Sequence, residues 1–505
     1  MDYQTTPFLR YLIIQFELFV HPFTTLISFD RSENTPVYLQ IGNRIIQLIQ
    51  QGIIQPGVRL PGSRTLAKQI HVNRLTVTKA YDELTIQGWV ESQGSRGMFV
   101  CSEIPVTTPA AFESVIFGGI VSPGYAWHSK AYLTRPRLST GYQMVIDEGL
   151  PDLRLLPKTE LSRAYRAVLR QASWKGTLAY GELFGDPGLR PLLADFIRET
   201  RGIPMHDSQI ITTRGSTMGI YLAAMAVLKP GDTVVTGRMT YHTAELIFRH
   251  FGAKFKSLPL DQDGIRIDAL EDICRTQPVR MIYVTPHHHY PTTATMPAER
   301  RMQLLQLARD YRFCILEDDY DFDFQYDSNP VMPLISADAS GQVIYVGSFS
   351  KSIAPALRLG FVVGPTEVIT ELGKLRRLID RQGDHTLESA FARLFREGEI
   401  RRHLRKAQRT YQERRDHFCV RLENEFPEIN FIKPPGGMAV WADFSPDIPL
   451  RALLPHLSAR GFYLPDPNNY SVHLNATRMG FASKQPGEMD QTLEIFRELI
   501  NGFGQ

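Results

Sequence analysis

Residues 60–100 read LPGSRTLAKQIHVNRLTVTKAYDELTIQGWVESQGSRGMFV, and this stretch decides the fold of the N-terminal part of the chain. Ser63 is a good N-cap for a short helix over residues 64–70, and Asn73 is a second N-cap for a helix that ends at about Gln87. A tight turn joins the two. Two short helices in this arrangement predict a helix-turn-helix.

The second of these helices is amphipathic. Its predicted buried residues lie at i, i+3, i+4 and i+7, and they are Val77, Ala80, Tyr81 and Leu84. Basic and hydroxyl residues fall on its other face, as expected for a helix that enters a DNA groove. A single basic residue on a helix is more often plain solvated surface, so the prediction depends on the whole pattern. The candidate DNA-binding residues are Arg64, Arg74, Thr76, Thr78, Lys79 and Arg96.

The flanking segments complete this pattern. Apolar residues at helical spacing predict a preceding helix from Pro36 to about Gln51. Residues 88–100 predict two short strands around the turn 94–97, a hairpin wing with Arg96 at its tip. Residues 36–102 carry seven Lys and Arg against three acids, whereas the whole chain has a net charge of only +3. The basic excess is therefore local to this segment.

The order of these elements, together with the string quoted above, resembles the winged-helix domain of the GntR-type bacterial regulators. The match is dense over residues 60–100, with Gly62 where serine is common and Arg96 early in the wing as departures. The resemblance implies binding to double-stranded DNA. Because of these departures, the resemblance defines the contact between the wing and a DNA groove less closely than it defines the fold.

The rest of the chain has a different organisation. A segment rich in proline, glycine and threonine follows, and from about residue 146 short apolar runs alternate with helical patterns. Strands that alternate with helices predict a mostly parallel α/β sheet. The predicted domains are an N-terminal extension (1–35), the winged helix (36–103), a linker (104–145) and a large domain (146–505).

Composition excludes several classes of protein. The chain has 505 residues, too many for one ordinary domain of about 150 residues. Its 43% hydrophobic and 22% charged residues are typical of a soluble globular protein. Four widely separated cysteines indicate a reduced, cytoplasmic protein. The apolar run Leu12–Val20 is too short to span a membrane and lacks a signal-peptide cleavage site.

Lys351 is the strongest catalytic candidate. It stands in Gly347-Ser348-Phe349-Ser350-Lys351-Ser352, directly after the predicted strand 343–346. A lysine among small hydroxyl residues at a strand end fits a Schiff-base lysine, although an ordinary surface lysine in a serine-rich turn is the alternative. Arg358, seven residues further on, could bind a phosphate together with these hydroxyls.

Three further segments favour a cofactor site. An apolar helix begins at Gly215-Ser216-Thr217, and the backbone N–H groups and hydroxyls at this helix start could bind phosphate. Asp318 and Tyr320 follow an apolar run and could hold a pyridine nitrogen and a phenolic oxygen, although a solvated acidic loop or a metal site is the alternative. Tyr241 follows a strand, where it could stack on a flat ring.

Residues 149–505 resemble the fold-type-I aminotransferases, through these four segments in this order. Gly149–Pro157 resembles the entry motif of that family, and residues 180–190 resemble its YGxxxGxxxLR motif. The resemblance implies a mostly parallel sheet, a smaller C-terminal α+β subdomain, and pyridoxal 5′-phosphate as the cofactor. It implies that Lys351 forms the Schiff base with this cofactor and that Arg478 binds the carboxylate of a substrate or effector. It also implies a cofactor-binding set of Tyr180, Gly215, Ser216, Thr217, Tyr241, Asp318, Tyr320, Ser348, Ser350, Lys351 and Arg358.

One segment departs from the family pattern. The chain has His288-His289-Tyr290-Pro291-Thr292 where the family has Asn-Pro-Thr-Gly, so the cofactor-contacting asparagine is missing. His288 could tune the ring hydroxyl of the cofactor, and a plain loop histidine is an equally good interpretation. Metal binding is disfavoured because neighbours in a strand point to opposite faces.

A winged helix fused to an aminotransferase-like domain resembles the MocR regulators. The resemblance implies a cytoplasmic transcription regulator that binds a DNA operator and senses an amino compound, or the cofactor itself, at Lys351. It also implies a homodimer in which Tyr180 reaches the partner's site, and the long linker allows a domain-swapped arrangement. The rival interpretation is a working aminotransferase with an appended DNA-binding domain.

Overall fold

The computed structural model of the chain describes residues 23–33, 35–104, 123–133, 141–171, 178–327 and 331–503. The chain divides into two compact units, Met1–Trp127 and His128–Gln505. The run Leu12–Val20 and most of the predicted linker lie outside the described residues. Within the described residues, no helix is long and apolar enough to cross a membrane. The four cysteines are free thiols.

The N-terminal unit is a winged helix, as predicted. After a one-turn helix its elements are α1 (Val37–Gln50), α2 (Ser63–Gln69), α3 (Arg74–Ile86), β1 (Val90–Ser92) and β2 (Met98–Val100). Strands β1 and β2 form an antiparallel hairpin in which Val90 pairs with Val100. The tip of this hairpin is the short 3-10 helix Gly94–Arg96.

The core of this unit follows the apolar stripes of its helices. The predicted stripe of α3 is buried and meets the stripe of α1. These core residues are Val77, Ala80, Tyr81 and Leu84 from α3, and Ile41, Ile45, Leu48 and Ile49 from α1. The Tyr81 hydroxyl donates to the Pro61 carbonyl at 2.7 Å. Burial of one face leaves the opposite face of α3 available for DNA.

One of the two predicted N-caps is confirmed. The Asn73 side chain accepts a hydrogen bond from the amide of Leu75, as an N-cap does. The prediction for Ser63 is wrong, because α2 begins at Ser63 itself and Gly62 is the N-cap, without a side-chain hydrogen bond. The Ser63 hydroxyl instead accepts from Nε of Arg74 at 3.5 Å.

The C-terminal unit alternates strands with helices. Its helices are α4 (Lys158–Gln171), α5 (Arg190–Arg201), α6 (Ser216–Val227), α7 (His242–His250), α8 (Asp268–Thr276), α9 (Ala298–Tyr311), α10 (Thr366–Arg376), α11 (His385–Arg396), α12 (Glu399–Glu425), α13 (Leu450–Ala459) and α14 (Pro486–Asn501). Its strands are β3 (Met144–Val145), β4 (Ile210–Thr213), β5 (Thr233–Gly237), β6 (Lys254–Leu258), β7 (Leu260–Asp261), β8 (Gly264–Ile265), β9 (Met281–Val284), β10 (Cys314–Asp319), β11 (Val343–Ser348), β12 (Gly360–Val363), β13 (Ile429–Phe431), β14 (Ala439–Phe444), β15 (Phe462–Tyr463) and β16 (Ala476–Gly480).

The central sheet has seven strands in the order β4-β12-β11-β10-β9-β5-β6. Strand β12 runs antiparallel to both of its neighbours, and the other pairs are parallel. The mostly parallel sheet is therefore confirmed. Its central strands are almost completely buried, as expected when helices cover both faces.

A smaller α+β subdomain lies toward the C-terminus, as predicted. Its antiparallel sheet has the order β13-β14-β16 and shares one hydrophobic core with α12, α13 and α14. Strand β3 pairs with β15, with Met144 opposite Phe462. Strand β3 lies in the segment predicted as linker, and it belongs to the C-terminal unit.

Candidate functional site

The sheet topology explains why the candidate residues meet. Strands β4, β5, β9, β10 and β11 run in one direction, so their carboxyl ends lie along a single edge of the sheet. Each predicted segment directly follows one of these ends. Arg358 precedes the antiparallel β12, whose first residue Gly360 pairs with Ser348 at the same edge. Ligands of open α/β sheets bind at this edge.

A cavity of about 240 Å³ opens there. Nine of the predicted cofactor-binding residues line it, together with the predicted effector-binding arginine and four residues that were not predicted. The full lining is Glu148, Ser216, Thr217, Tyr241, Tyr283, Thr285, Tyr290, Asp318, Tyr320, Ser348, Ser350, Lys351, Arg358 and Arg478.

Lys351 reaches this cavity from the loop after β11. Its Nζ donates to the Gly149 carbonyl at 2.6 Å. Burial, reinforced by the positive charge of Arg478, lowers the pKa of the Lys351 ammonium. A lowered pKa increases the fraction of neutral amine, which is the nucleophilic form that a Schiff-base lysine requires.

Asp318 lies at the end of β10 and is nearly inaccessible to solvent. Burial raises the pKa of its carboxyl group to about 7, although the hydrogen bond from Tyr283 acts in the opposite direction. The Tyr283 hydroxyl donates to Oδ2 at 2.7 Å, whereas Oδ1 is buried and has no hydrogen-bond partner among the described residues. An acceptor left free in a cavity fits the protonated ring nitrogen of pyridoxal phosphate.

The other end of the cavity can accept a phosphate. Helix α6 starts there with Ser216 and Thr217, and it has no acidic residue in its first turn. A side chain at Gly215 would place its Cβ 2.8 Å from the Arg358 guanidinium, so glycine permits this close approach. Arg358 is exposed and donates to the Arg214 carbonyl at 2.8 Å. A helix N-terminus beside an arginine suits a phosphate dianion.

Three tyrosines form the aromatic wall of the cavity. The ring centroids of Tyr241 and Tyr290 lie 5.5 Å apart in an edge-to-face arrangement. Tyr290 and Tyr320 are 6.4 Å apart, and the Tyr320 hydroxyl donates to the His288 carbonyl at 2.9 Å. Tyr290 occupies the position of the missing asparagine and was not predicted to line the site.

Arg478 is fully buried on β16 of the smaller subdomain. Its Nε donates to the Glu148 carbonyl at 2.9 Å and its Nη1 donates to the Pro291 carbonyl at 3.2 Å. Burial opposes its charge, but Tyr320 and Asp321 outweigh burial and raise the pKa of the guanidinium. The group is therefore a permanent cation, fit to bind a carboxylate.

The structure does not bring His288 into the cavity. Its Nδ1 bonds Oδ1 of Asp321 at 2.7 Å and its Nε2 lies 3.3 Å from Oε1 of Gln325. Burial works against its charge, but Asp321 more than compensates and raises the pKa of His288. Direct tuning of the cofactor by this ring is therefore not supported by its position. His288 instead contacts the site through the carbonyl that holds Tyr320.

The three consecutive histidines also differ from the expected strand geometry, because β9 ends before them at Val284. His287 lies 3.3 Å from Asp319, and Nδ1 of His289 contacts the Thr292 hydroxyl at 2.8 Å. Each ring therefore has a different partner. Across the part of the chain that the structure describes, no group of three or more His, Cys, Asp or Glu residues could hold a metal ion.

Tyr180 lies outside the cavity. Its side chain is 77% exposed, and the Arg381 guanidinium lies 3.9 Å from its ring centroid. Gly215 also belongs to the predicted set and does not line the cavity itself, but it precedes Ser216 and Thr217, which do. A role for Tyr180 would therefore require a second subunit.

The candidate DNA-binding residues lie together on the winged helix. Arg64, Arg74, Lys79 and Arg96 are exposed, whereas Thr76 and Thr78 are half-buried. Thr78 donates its hydroxyl to the Arg74 carbonyl at 3.1 Å. Lys79 lies 6.0 Å from the ring centroid of Tyr38. Arg64, Arg74 and Lys79 form no ion pair within the described residues.

Sequence reasoning missed four residues of the cavity: Glu148, Tyr283, Thr285 and Tyr290. In the sequence, Tyr283 belongs to the pattern of an apolar strand. The role of its hydroxyl follows only from the fold, where it donates to Asp318. Thr285 accepts a hydrogen bond from the Tyr290 amide at 2.9 Å. The acidic pair Asp147-Glu148 directly before the entry motif was the sequence signal that could have found Glu148.

Comparisons with known proteins agree with this site. The family model "Aminotransferase class I and II" matches residues 152–496, and the model "Bacterial regulatory proteins, gntR family" matches residues 37–100. The probable rhizopine catabolism regulatory protein MocR of Rhizobium meliloti is 30% identical over 83% of this chain and 84% of its own. The chain belongs to the MocR-type regulators.

Two other comparisons support this assignment. The regulator TauR of Rhodobacter capsulatus is 29% identical over 83% of this chain and 87% of its own. A kynurenine aminotransferase from Pyrococcus horikoshii has a TM-score of 0.69 at 26% identity, covering 75% of this chain and 98% of its own. This MocR-type regulator therefore combines a DNA-binding winged helix with a fold-type-I domain for pyridoxal 5′-phosphate.

Proposed function

We propose that the large domain senses an amino compound in the cavity around Lys351 and thereby controls DNA binding by the winged helix. The observation that carries this proposal is the meeting of Lys351, Asp318 and Arg478 in one cavity. An amine-reactive lysine, a partner for a ring nitrogen and a buried cation for a carboxylate are what an amino-acid effector needs.

Each residue has a proposed task. Asp318, oriented by Tyr283, holds the ring nitrogen of the cofactor, and Tyr241 and Tyr320 contact its ring. Ser216, Thr217, Ser348, Ser350 and Arg358 bind its phosphate. When bound, pyridoxal 5′-phosphate supplies an aldehyde carbon that can exchange the Lys351 amine for that of an effector. Arg478 binds the effector carboxylate.

Release of Lys351 provides a way to change conformation. The Lys351 Nζ donates to the Gly149 carbonyl, and Arg478 donates to the neighbouring Glu148 carbonyl. The loop that contains Glu148 and Gly149 is therefore bonded to both side chains. An effector that engages Lys351 and Arg478 binds one arrangement of this loop better than another. Differential affinity of this kind shifts the population of two states.

The assembly is proposed to be a homodimer in which Tyr180 reaches the cofactor site of the other subunit, with a possible exchange of winged helices through the linker. The operator would then contain two half-sites. The exposed position of Tyr180 beside Arg381 is compatible with a contact across a subunit interface.

Two measurements on the full-length protein test the sensing proposal. Visible spectra of the cofactor-loaded protein with a panel of amino compounds identify an effector, and footprinting with and without that compound measures the effect on the operator. An effector-dependent footprint without keto-acid product supports sensing. Multiple turnovers to a keto acid, together with a footprint that is the same with and without the compound, would instead favour an aminotransferase.

A further inference from the structure

Glu148 contributes a carboxylate to the lining of the cavity. The Tyr470 hydroxyl donates to Oε1 at 2.9 Å and the Tyr290 hydroxyl donates to Oε2 at 3.2 Å. Within the described residues, no Lys, Arg or His side chain lies within 4.0 Å of this carboxylate. Two neutral donors therefore orient this carboxylate, and its charge acts on the Lys351 ammonium only from beyond ion-pair distance.

The loop that carries Glu148 is held in place by its neighbours. Oδ1 of Asp147 accepts the amides of Gly149 and Leu150, both at 2.7 Å. Oδ2 of Asp147 accepts from the Ser483 hydroxyl at 2.5 Å. Arg478 fixes the Glu148 carbonyl itself. The backbone that carries this carboxylate is consequently preorganised.

The other charged groups of the cavity already have tasks in the proposed function. Asp318 faces the ring nitrogen, Arg358 the phosphate, Arg478 the effector carboxylate, and Lys351 the cofactor aldehyde. Glu148 is the remaining charge among the lining residues. A half-buried carboxylate that the protein leaves unpaired favours a cation supplied by the ligand and disfavours a second anion.

We propose that Glu148 is a specificity-determining residue that selects amino acids whose side chain carries a second cationic group. The inference rests on the proposed function, since it concerns the compound that Lys351 and Arg478 receive. Arg478 binds the α-carboxylate, and Glu148 binds the distal ammonium or guanidinium group. Dicarboxylic amino acids are repelled by the same charge, so one residue provides both attraction and exclusion.

The test compares three probes on the cofactor-loaded full-length protein: L-lysine, L-norleucine and L-glutamate. Half-saturation is read from the change in visible absorbance. Lysine is expected to bind about tenfold or more tightly than norleucine, the magnitude of a charge-assisted hydrogen bond. The Glu148→Gln variant keeps the side-chain length, and its amide can accept from one tyrosine hydroxyl and donate to the other, so the variant removes the charge and is expected to abolish this preference.

Two variants control the test. Glu148→Asp retains the charge and is expected to retain a preference for lysine. Glu397→Gln removes a carboxylate outside the cavity that pairs with Arg393, and it is expected to leave the preference unchanged. A lysine-to-norleucine ratio that is the same in the parent and in Glu148→Gln overturns the inference, and so does a parent protein that prefers glutamate.

The two proposals can fail separately. If none of a wide panel of amino compounds changes the spectrum, the sensing function itself is wrong. If norleucine or glutamate changes the spectrum at half-saturating concentrations equal to or lower than that of lysine, the proposed sensing function is retained and the proposed role of Glu148 is wrong. Dissociation of a dimer on Glu148→Gln substitution would assign the carboxylate to a subunit contact and also overturn the inference.

Discussion

Tyr283 donates its hydroxyl to Oδ2 of Asp318 at 2.7 Å, and Oδ1 of the same buried carboxylate has no partner in the part of the chain that the structure describes. The two residues lie on adjacent parallel strands, β9 and β10. The hydrogen bond fixes the orientation of the carboxylate before any ligand arrives. Asp318 is therefore preorganised to accept one further hydrogen bond from within the cavity.

The first prediction concerns the stability of the cofactor-free protein. Burial raises the pKa of Asp318 to about 7 from the ordinary value of 3.8 for an aspartate, so the folded state retains a proton that the unfolded state has lost between these values. Stability must then fall as the pH rises through this window. The free energy of unfolding of the parent, relative to Asp318→Asn, is expected to decrease by about 2 kcal/mol between pH 5 and pH 8.

Urea unfolding of both proteins at the two pH values measures this difference. Comparison with Asp318→Asn removes the contribution of Glu317, whose pKa burial raises to about 8 and which both proteins share. A difference that stays constant or grows with pH would contradict a raised pKa for Asp318.

The second prediction concerns Lys351. Lys351→Ala is expected to eliminate covalent attachment of the cofactor while the chain stays folded, because Lys351 is the single lysine among the described residues that line the cavity. Borohydride reduction followed by mass spectrometry of peptides measures the attachment. Lys374→Ala is the matched control, since this exposed lysine pairs with Glu371 outside the cavity. Cofactor attached to Lys351→Ala at the parental level would refute the assignment.

The third prediction separates two arginines of the winged helix. Arg74 is exposed at the start of α3, so Arg74→Ala is expected to weaken operator binding by about 1–3 kcal/mol and non-specific binding by less. Arg64 lies on α2, where a phosphate contact is expected. Arg64→Ala should therefore lower affinity for both kinds of DNA and reduce the salt dependence.

Binding titrations at several salt concentrations, with operator and with random DNA, distinguish the two residues. Each variant serves as the control for the other, because both remove one exposed positive charge from the same domain. The reverse assignment of effects would mean that α2, rather than α3, reads the bases.

The fourth prediction concerns the contact between subunits. Light scattering is expected to report a dimer, and Tyr180→Ala is expected to weaken cofactor binding, although Tyr180 lies outside the cavity of its own chain. Mixed dimers of Tyr180→Ala and Lys351→Ala contain one intact site only if Tyr180 acts across the interface. Covalent cofactor labelling should therefore recover on mixing. A stable monomer, or no recovery, would contradict this arrangement.

The winged helix could be predicted almost completely from the sequence. Its helices follow from apolar residues at helical spacing, and Asn73 marks the start of α3 through a local hydrogen bond. Only the Ser63 cap failed, because a hydroxyl can bond either its own helix or a neighbouring side chain. That choice depends on Arg74, which the fold brings within 3.5 Å.

The sequence by itself also determined the segments that build the cavity, since Lys351, Asp318 and the start of α6 follow strand ends that can be read from apolar runs. Only the tertiary structure decided which other side chains face them. Tyr283 and Asp318 are 35 positions apart, and Glu148 meets Tyr470 across 322 positions. Such contacts depend on the register of adjacent strands and on the packing of a distant subdomain, which no local pattern of residues encodes. His288 does not line the cavity for the same reason. Its ring is oriented by a hydrogen bond with Asp321, which is not a neighbour in the sequence.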